Sequence, residues 1–388
     1  MSFEFLVPVS DSVIEYIEPL SDYALGKQIR IHTLDDGIPD LEKTDIAILG
    51  IQENRNGINA LEEEGLDFSS IRKAFYELYP GNWNTNIVDL GDIIAGNEVS
   101  DTYYLVQEVL STLLVKNIIP VIIGGSQDLV YAQYRAFDVF ERMVNLVNVD
   151  SRFDLGNSSQ PITNTSFVGK IIVEQPYNLF NYSNIGYQTY FNPQDEIDLI
   201  EKLYFDACRL GEVIADVTVV EPIMRDADIV AVDLGVMNAT SLNGYTASPN
   251  GFDGREICAI SRYAGISDKV KSFGIYEFKN FENEAAASLL IAQMVWYFVE
   301  GVNYRSNEID IKNLKNTLHY NVPVEEEILS FYKSVMTGRW WIEIPFISSG
   351  NNKLKRHTLL PCTYADYERA CNQEIPERWY KAKQKNEV

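Results

Sequence analysis

The sequence predicts a three-layer α/β fold in which helices cover both faces of a mainly parallel sheet. From about residue 44, short apolar runs alternate with longer amphipathic stretches. The runs are rich in β-branched residues and apolar at consecutive positions, which is typical of strands that are buried on both faces. Alternation of such strands with helices favours a parallel sheet.

Seven apolar runs are the predicted strands, at 45–50, 86–90, 120–124, 144–149, 170–173, 229–232 and 271–276. Helices are predicted at 103–116, 193–210 and 282–300. The second of these opens with Asn192 and Pro193, an N-cap residue followed by a proline at the first helical position. The flanking sequence has a different pattern. We therefore predict an N-terminal extension (1–43), an α/β domain (44–305) and an aromatic-rich C-terminal extension (306–388) with a strand at 340–346.

The composition limits the possible functions. The 388 residues are 46% hydrophobic and 23% charged, which is typical of a folded globule. The net charge of −24 argues against binding to nucleic acid or to an anionic membrane. The apolar stretch at 289–299 is too short to span a bilayer, and the first residues lack the features of a signal peptide. The four cysteines form no CxxC pair, so we expect reduced thiols and a cytoplasmic location.

Polar residues follow several of the predicted strands. GGSQD occupies 124–128, DSRFD occupies 150–154, and Asp233 ends the run at 229–232. Ligands of parallel sheets bind at the carboxyl ends of the strands, so these side chains are expected to converge on one edge. Converging carboxylates are typical of a site for a hard metal ion.

At these strand ends the sequence resembles the ureohydrolase family, which includes arginase, agmatinase and formimidoylglutamase. The family strings GGDHS, DAHxD and SxDxDxxDP correspond to GGSQD at 124–128, DSRFD at 150–154 and AVDLGVMNA at 231–239. Weaker similarities lie at 89–93, 251–256, 272–277 and 284–289. The resemblance covers roughly residues 44 to 303. It implies an arginase-like fold, two manganese ions, hydrolysis of a guanidino or amidino carbon, and self-association.

This resemblance places the six metal ligands of the family, two histidines and four aspartates, at Gln127, Asp150, Arg152, Asp154, Asp233 and Gly235. Only the three aspartates keep a ligand of the expected type. Gln127 could offer an amide oxygen, whereas Arg152 has no lone pair to give and Gly235 has no side chain. Asn238 stands at the aspartate of the family's DP pair.

The three aspartates and Arg152 together suggest how the charges of this site are balanced. Along an extended segment, residues 150, 152 and 154 would point to the same side. Three carboxylates near each other need a cation, or their pKa values rise. We therefore predict that the Arg152 guanidinium lies among Asp150, Asp154 and Asp233 and replaces the metal pair. The alternative is a residual Mg²⁺ or Ca²⁺ site on the three aspartates, but a fixed internal cation competes with a soluble one.

Two further features each allow two interpretations. Glu277 matches a family glutamate that contacts the cationic head of the substrate, so Glu277 and Asn238 are ligand-binding candidates. Equally, Glu277 could be a structural carboxylate paired with a nearby base. The aromatic C-terminal extension either covers the α/β domain or binds a protein partner.

Function follows from the predicted loss of ligands. Three of the six ligand positions are changed, and no histidine lies between residues 33 and 318, so the two-manganese route is not expected. The first hypothesis is a catalytically degenerate, cofactor-free protein with a binding, scaffold or regulatory role. The second is a Mn²⁺-dependent C–N hydrolase with an altered site, acting on formimidoyl-glutamate, agmatine or arginine. The third is a sensor of a cationic metabolite.

We expect a homo-oligomer. A protein partner is possible at the C-terminal extension, and we expect neither nucleic acid nor a membrane as a binding partner.

Overall fold

The structure, a computed structural model, describes residues 2–57, 65–242, 248–279, 284–308, 311, 317–344 and 359–387. Within these residues the larger sheet has the strands β1 Arg30–Ile31, β2 Ile46–Gln52, β3 Ile87–Ile94, β4 Ile119–Gly124, β5 Val144–Val149, β6 Leu179–Tyr187, β7 Asp206–Arg209, β8 Ile229–Asp233 and β9 Ser272–Tyr276. The strand order is β1-β3-β2-β4-β9-β8-β5-β6-β7. Every pairing in this sheet is parallel.

Helices cover both faces of this sheet. They are α1 Asp11–Ile17, α2 Leu25–Gln28, α3 Ser69–Glu77, α4 Val99–Val115, α5 Leu129–Arg135, α6 Phe167–Val173, α7 Gln194–Lys202, α8 Leu210–Ala215, α9 Glu221–Asp226, α10 Gly254–Ile266 and α11 Glu284–Asn303. Short 3₁₀ helices lie at Ser2–Phe5, Ala136–Phe140, Thr189–Phe191, Val217–Val220 and Leu234–Val236.

Alternate residues of the strands enter two separate cores, which establishes the three layers. In β2, Ile46 and Ile48 belong to one core, whereas Ala47, Leu49 and Ile51 belong to the other. Since consecutive strand residues point to opposite faces, each core lies between one face of the sheet and its helices. The predicted three-layer fold with a parallel sheet is therefore confirmed.

Helix α11 is the one helix of the described residues that is long and apolar enough to cross a membrane by length and composition. It lies against the sheet, however, and Phe298 stacks on Phe273 of β9 with the ring centroids 4.4 Å apart. More than half of the apolar stretch is buried inside the protein, as in the core helix of a globular domain.

Several predicted elements are wrong in place or type. The run at 170–173, predicted as a strand, lies in α6, and the strand of this region is β6. Polar residues interrupt β6 and hide its strand pattern, because Asn181, Ser183 and Asn184 lie within it. The helix predicted at 193–210 ends at Lys202, and β7 follows. The helix predicted at 103–116 begins earlier, at Val99, after a capping box of Glu98 and Asp101.

The C-terminal residues form a second, antiparallel sheet. Its strands are β10 Thr317–Val324, β11 Glu327–Ser334, β12 Trp340–Glu343 and β13 Leu359–Cys362, and the helices α12 Tyr364–Cys371 and α13 Glu377–Glu387 follow. The strand predicted at 340–346 thus ends at Glu343, and residues 345 and 346 lie outside the described residues. The buried residues of this region form a core of their own. The domain boundaries at 43 and 305 remain predictions.

Candidate functional site

Four neighbouring strands bring the polar loops to one edge of the sheet. The adjacent order β4-β9-β8-β5 places the loops after these strands side by side at their carboxyl ends. Gln127 follows β4, Glu277 follows β9, Asp233 ends β8, and Asp150 follows β5. Their approach is close, because the main-chain nitrogen of Gln127 donates to Glu277 Oε1 at 3.0 Å.

The glycines after β4 allow this loop to pack tightly. A Cβ atom on Gly125 would lie 2.0 Å from the carbonyl oxygen of Glu53, so only glycine fits there. The main-chain nitrogen of Ser126 donates to the same carbonyl at 3.0 Å. The GGSQD string is therefore explained by close backbone approach, which positions Gln127 and Asp128 in the interior.

The segment after β5 bends rather than continuing as an extended chain. Asp150 Oδ1 accepts a hydrogen bond from the main-chain nitrogen of Arg152 at 2.9 Å, and Asp154 has a positive φ of 54°. Phe153 between them is fully buried. Side chains at 150, 152 and 154 consequently do not share one side.

The position predicted for the Arg152 guanidinium is wrong. The Arg152 side chain is exposed, its Nη1 donates to the carbonyl oxygen of Phe191 at 2.9 Å, and its guanidinium lies 4.9 Å from the centroid of the Phe191 ring. No ion pair joins it to Asp150, Asp154 or Asp233 in the described structure. The physical reason is the bend after β5, which turns residue 152 outward while it keeps the two aspartates inside.

The side-chain amide of Asn148, itself held by Gln127, contacts two of the buried carboxylates instead. Gln127 Nε2 donates to Asn148 Oδ1 at 2.9 Å. Asn148 Nδ2 in turn donates to Asp150 Oδ2 at 3.2 Å and lies 3.5 Å from Asp154 Oδ2. Asn148 is fully buried, and the sequence analysis did not select it. The signal that could have found it is a polar residue inside the otherwise apolar strand VNLVNV.

Burial determines the protonation of this cluster. Desolvation raises the pKa of Asp154 well above its ordinary value, and the charge of Asp150 raises it further. Desolvation and the Asp150 charge likewise raise the pKa of Asp233. Asp233 also accepts a hydrogen bond from the main-chain nitrogen of Gly235 at 2.6 Å. The pKa values of both carboxyl groups are thus raised by the same two causes, burial and the nearby charge of Asp150.

A second buried network lies beside the first. Asp128 is fully buried and accepts hydrogen bonds from Ser126 Oγ, from the Tyr103 hydroxyl and from Asn56 Nδ2. Burial raises the pKa of Asp128 to about 6, although these hydrogen bonds oppose the rise. Sequence analysis did not select Asp128, because no motif of the strand end distinguishes it from a surface residue.

The Glu277 carboxylate interacts with three other residues. Its Oε1 accepts from the main-chain nitrogen of Gln127 and from Asn164 Nδ2 at 2.9 Å, and its Oε2 lies 4.0 Å from Lys279 Nζ. It is 8% exposed and has a positive φ of 62°. Asn164 Oδ1 is buried without a hydrogen-bond partner in the described structure. Glu277 thus has the surroundings of a structural carboxylate and also lies beside an unused buried acceptor.

Asn238 contacts a different part of this edge. Its Oδ1 accepts from the main-chain nitrogen of Ser241 at 2.8 Å, and its main-chain nitrogen donates to the carbonyl oxygen of Phe252. These contacts hold a turn after β8. None of its described contacts reaches Asp150, Asp154 or Asp233.

The donor groups of the described residues do not fit a two-manganese centre. Within the described ranges, no group of three or more histidine, cysteine, aspartate or glutamate side chains is arranged to hold a metal ion. The Arg152 guanidinium is turned away from the cluster and has no lone pair to give, and Gly235 contributes no side chain. Hard divalent cations need several oxygen ligands in a closed arrangement.

Comparison with known proteins assigns the family. The family model of the Arginase family matches residues 45–300, well over half of the chain. The chain belongs to the Arginase family. The ureohydrolase resemblance of the strand-end motifs is thereby confirmed.

Its relatives within this family are formimidoylglutamases. The Staphylococcus aureus formimidoylglutamase is 26% identical over 267 residues, which are 65% of this chain and 82% of the relative. The Lysinibacillus sphaericus formimidoylglutamase is 27% identical over 286 residues, or 66% of this chain and 84% of the relative. This Arginase-family protein is thus formimidoylglutamase-like in sequence.

Solved structures of the family share the fold. The Bacillus subtilis formimidoylglutamase superposes with a TM-score of 0.62 at 16% identity, covering 76% of this chain and all of that protein. The Trypanosoma cruzi formiminoglutamase with Mn²⁺ superposes with a TM-score of 0.62 at 17% identity, covering 73% of this chain and 99% of that protein.

Proposed function

We propose that this Arginase-family protein is a degenerate formimidoylglutamase-like protein that has lost the two-manganese reaction and acts by binding, in a scaffold or regulatory role. The observation that carries this proposal is the amide network of Gln127 and Asn148 on Asp150 and Asp154. It provides the polar partners that a metal pair would otherwise provide to the carboxylates. A buried carboxyl group with hydrogen-bond partners is stable without a bound cation.

The residue types at the ligand positions support the same proposal. Arg152 has no lone pair to give to a metal ion and Gly235 has no side chain, so two of the six family positions offer no ligand. Activation of water at neutral pH by a metal pair also needs open, correctly oriented positions on the metals. The described histidine at the carboxyl edge, His32, follows β1, which is three positions from β4 in the strand order, and its Nδ1 lies 3.0 Å from the carbonyl oxygen of Leu90.

A second candidate function is hydrolysis of a C–N bond with an altered metal site. Asp150, Asp154 and Asp233 lie within electrostatic reach of one another, because the charge of Asp150 raises the pKa of both other carboxyls. Mn²⁺ at high concentration would compete with the protons and the amide network for these oxygens. The candidate substrates are formimidoyl-glutamate, agmatine and arginine.

Turnover measurements distinguish the two functions. We expect the purified full chain, incubated with excess Mn²⁺, to release no ammonia or formamide from formimidoyl-glutamate and no urea from agmatine or arginine. Any turnover above that of a metal-free sample, abolished by Asp150→Asn, would overturn the proposal in favour of the hydrolase.

The matched control restores the ligand types of the family with Gln127→His, Arg152→His and Gly235→Asp together. Gly235 has an ordinary backbone conformation, and a Cβ atom there would lie 3.0 Å from Asp233 Oδ1, so the aspartate side chain must shift by a few tenths of an ångström. We expect this variant to bind Mn²⁺ more tightly than the wild-type protein does. If the wild type already binds Mn²⁺ equally well, the ligand substitutions do not explain the lost reaction.

A further inference from the structure

The C-terminal sheet has two edge strands, β10 and β13, which differ in what borders them. Strand β13 has four residues, and its carbonyl groups at Pro361 and Cys362 accept hydrogen bonds from Arg378 and Arg225 at 3.1 Å. Strand β10 has eight residues and pairs with β11 at one side. An edge strand of this length carries a row of main-chain groups that can pair with another strand.

The register of β10 and β11 determines which main-chain groups of β10 point outward. Val324 lies opposite Glu327 across a two-residue loop. From such a loop onward, hydrogen-bonded and non-hydrogen-bonded pairs alternate, so the even-numbered residues of β10 bond to β11 and the odd-numbered ones point away. Ser334, which lies opposite Thr317, agrees with this pattern, because its main-chain nitrogen donates to the carbonyl oxygen of Arg339 and not to β10.

Three residues of β10 have outward main-chain groups that bond to no other main-chain group within the described part of the chain. They are Thr317, His319 and Asn321, and each offers one N–H and one C=O. The next outward residue, Pro323, has no N–H, and its carbonyl oxygen accepts from Gln373 Nε2 at 2.9 Å. The open part of this edge therefore extends from residue 317 to residue 321.

The open edge is complementary to a second copy of itself. Antiparallel pairing of two β10 strands with His319 opposite His319 places Thr317 opposite Asn321, and these outward residues then exchange about six main-chain hydrogen bonds. The same register places Leu318, which is 45% exposed, opposite Tyr320. This apolar pair forms twice because of the two-fold symmetry, and aromatic–aliphatic pairs across strands stabilise a sheet.

The charge distribution also favours a contact through this part of the chain. Residues 317–324 include no Asp, Glu, Lys or Arg, so no like charges meet along the paired strands. Residues 306–388 hold 12 of the 32 Lys and Arg residues and 11 of the 56 Asp and Glu residues, which gives a net charge of +1. Residues 1–305 therefore carry −25 of the total of −24, and two copies repel each other least when they meet through the C-terminal extension.

We propose that β10 is a self-association surface, at which two copies of this chain pair antiparallel and join their four-stranded C-terminal sheets into one continuous sheet. A second copy fits this edge better than an extended peptide of another protein, because one register pairs Leu318 with Tyr320 twice and brings no charge to the contact. The surface lies outside the family match at residues 45–300, and the inference does not depend on the state of the carboxylate cluster.

The test is sedimentation velocity of the purified full chain at about 1 to 100 µM, where we expect the monomer to convert to a dimer as the concentration rises. His319→Glu places two carboxylates opposite each other and should weaken dimerisation about fivefold. Asn321→Pro removes an outward N–H without removing a bond to β11, and should weaken it about tenfold. Ile328→Glu is the matched control. Ile328 is 70% exposed on β11, away from the edge, so its replacement should leave dimerisation unchanged.

Disulfide crosslinking tests the register. His319→Cys places two new cysteines opposite each other with their Cα atoms about 5.5 Å apart, a separation that a disulfide spans. Mild oxidation should convert this variant to a covalent dimer, whereas Leu318→Cys should stay uncrosslinked. Wild-type protein oxidised in parallel is the control for the exposed Cys371.

Three results would overturn the proposal. The first is a monomer at every concentration, which would leave the edge to a different occupant. The second is a dimer that neither His319→Glu nor Asn321→Pro weakens, although circular dichroism shows both variants to be folded. The third is a dimer in which Leu318→Cys crosslinks and His319→Cys does not.

Discussion

Asn148 donates from one amide nitrogen toward two buried carboxyl groups, Asp150 and Asp154, and accepts from Gln127 through its oxygen. An amide can do both at once because it carries a donor and an acceptor on the same group. At the scale of single residues, this arrangement explains how Asp150 and Asp154 remain together without the Arg152 guanidinium between them. The network is polar and fully enclosed, and such networks are costly when one member is removed.

Substitution of Arg152 tests this account. Because the guanidinium is exposed and contacts Phe191, Arg152→Met should change the free energy of unfolding by less than about 1 kcal/mol. Urea denaturation at neutral pH measures this change. A loss of several kcal/mol would show that Arg152 neutralises the aspartates after all.

Arg72 provides the matched control. It is 5% exposed and pairs with Asp89 at 3.0 Å and with Asp92 at 2.7 Å. Arg72→Met leaves these carboxylates without their cation, so it should cost about 3–5 kcal/mol. Equal stability of the two variants would contradict the difference in burial on which both predictions depend.

Sequence alone could place Asp150, Asp233, Gln127 and Glu277 at one edge, because parallel strands bring their carboxyl ends together. It could not predict the direction of Arg152. That direction depends on a bend in which Asp150 Oδ1 accepts from a main-chain nitrogen two residues later, a contact without a strand or helix period. Asn148 was also missed, because a buried amide in a strand is recognised only when its partners across the site are known.

At the scale of elements, the two wrong predictions around β6 and α6 have a common cause. Strand β6 contains asparagine and serine within the sheet, and their hydrogen bonds to Asp206 and to Arg152 are tertiary contacts. Helix α6 has the β-branched sequence KIIV at its end, which taken alone favours a strand. Tertiary contacts therefore overrode local preference in both places, whereas a strand that is apolar throughout, such as β4, was predicted correctly.

Arg225 on α9 connects the C-terminal sheet to the α/β domain through hydrogen bonds. It donates to the carbonyl oxygens of Trp340 and Cys362 at 3.1 Å and lies 4.5 Å from the ring centroid of Trp341. Arg225→Met should cost about 2–4 kcal/mol, because it leaves buried carbonyls unpaired. Hydrogen exchange should then increase in β12 and β13 more than in β4. Uniform exchange across the molecule would contradict a local role.

Asp206 on β7 interacts electrostatically with the cationic side chains of helix α13. Burial opposes its ionisation, but the charges of Lys385, Lys381 and Arg378 together lower its pKa. Since the folded-state pKa is below the unfolded value, the stabilisation is present above the unfolded pKa of about 4 and is lost as the pH falls through the folded value.

Asp206→Asn should therefore destabilise the protein by about 1–3 kcal/mol at pH 7. The difference from the wild type should shrink as the pH falls below about 4. Thermal unfolding of both proteins at several pH values measures it. A difference that grows toward acidic pH would show that the carboxylate is not stabilised by these three cations.

At the scale of the whole molecule, two different sites lie at opposite ends of the same strands. The carboxyl ends carry the cluster of Asp150, Asp154 and Asp233 with the amides of Gln127 and Asn148. The amino ends of β5 to β7, together with α12 and α13, form a cleft of about 570 Å³. The cleft and the carboxylate cluster are therefore separated by the length of the strands.

The central claim is that the carboxylate cluster is stabilised by amides and protons rather than by metal ions. Its most direct test is the manganese content of the purified full chain, measured by mass spectrometry after incubation with excess Mn²⁺ and desalting. The account predicts much less than one manganese ion per chain in a protein that remains folded, and more in the variant with Gln127→His, Arg152→His and Gly235→Asp. Near-stoichiometric manganese in the wild-type protein would contradict it.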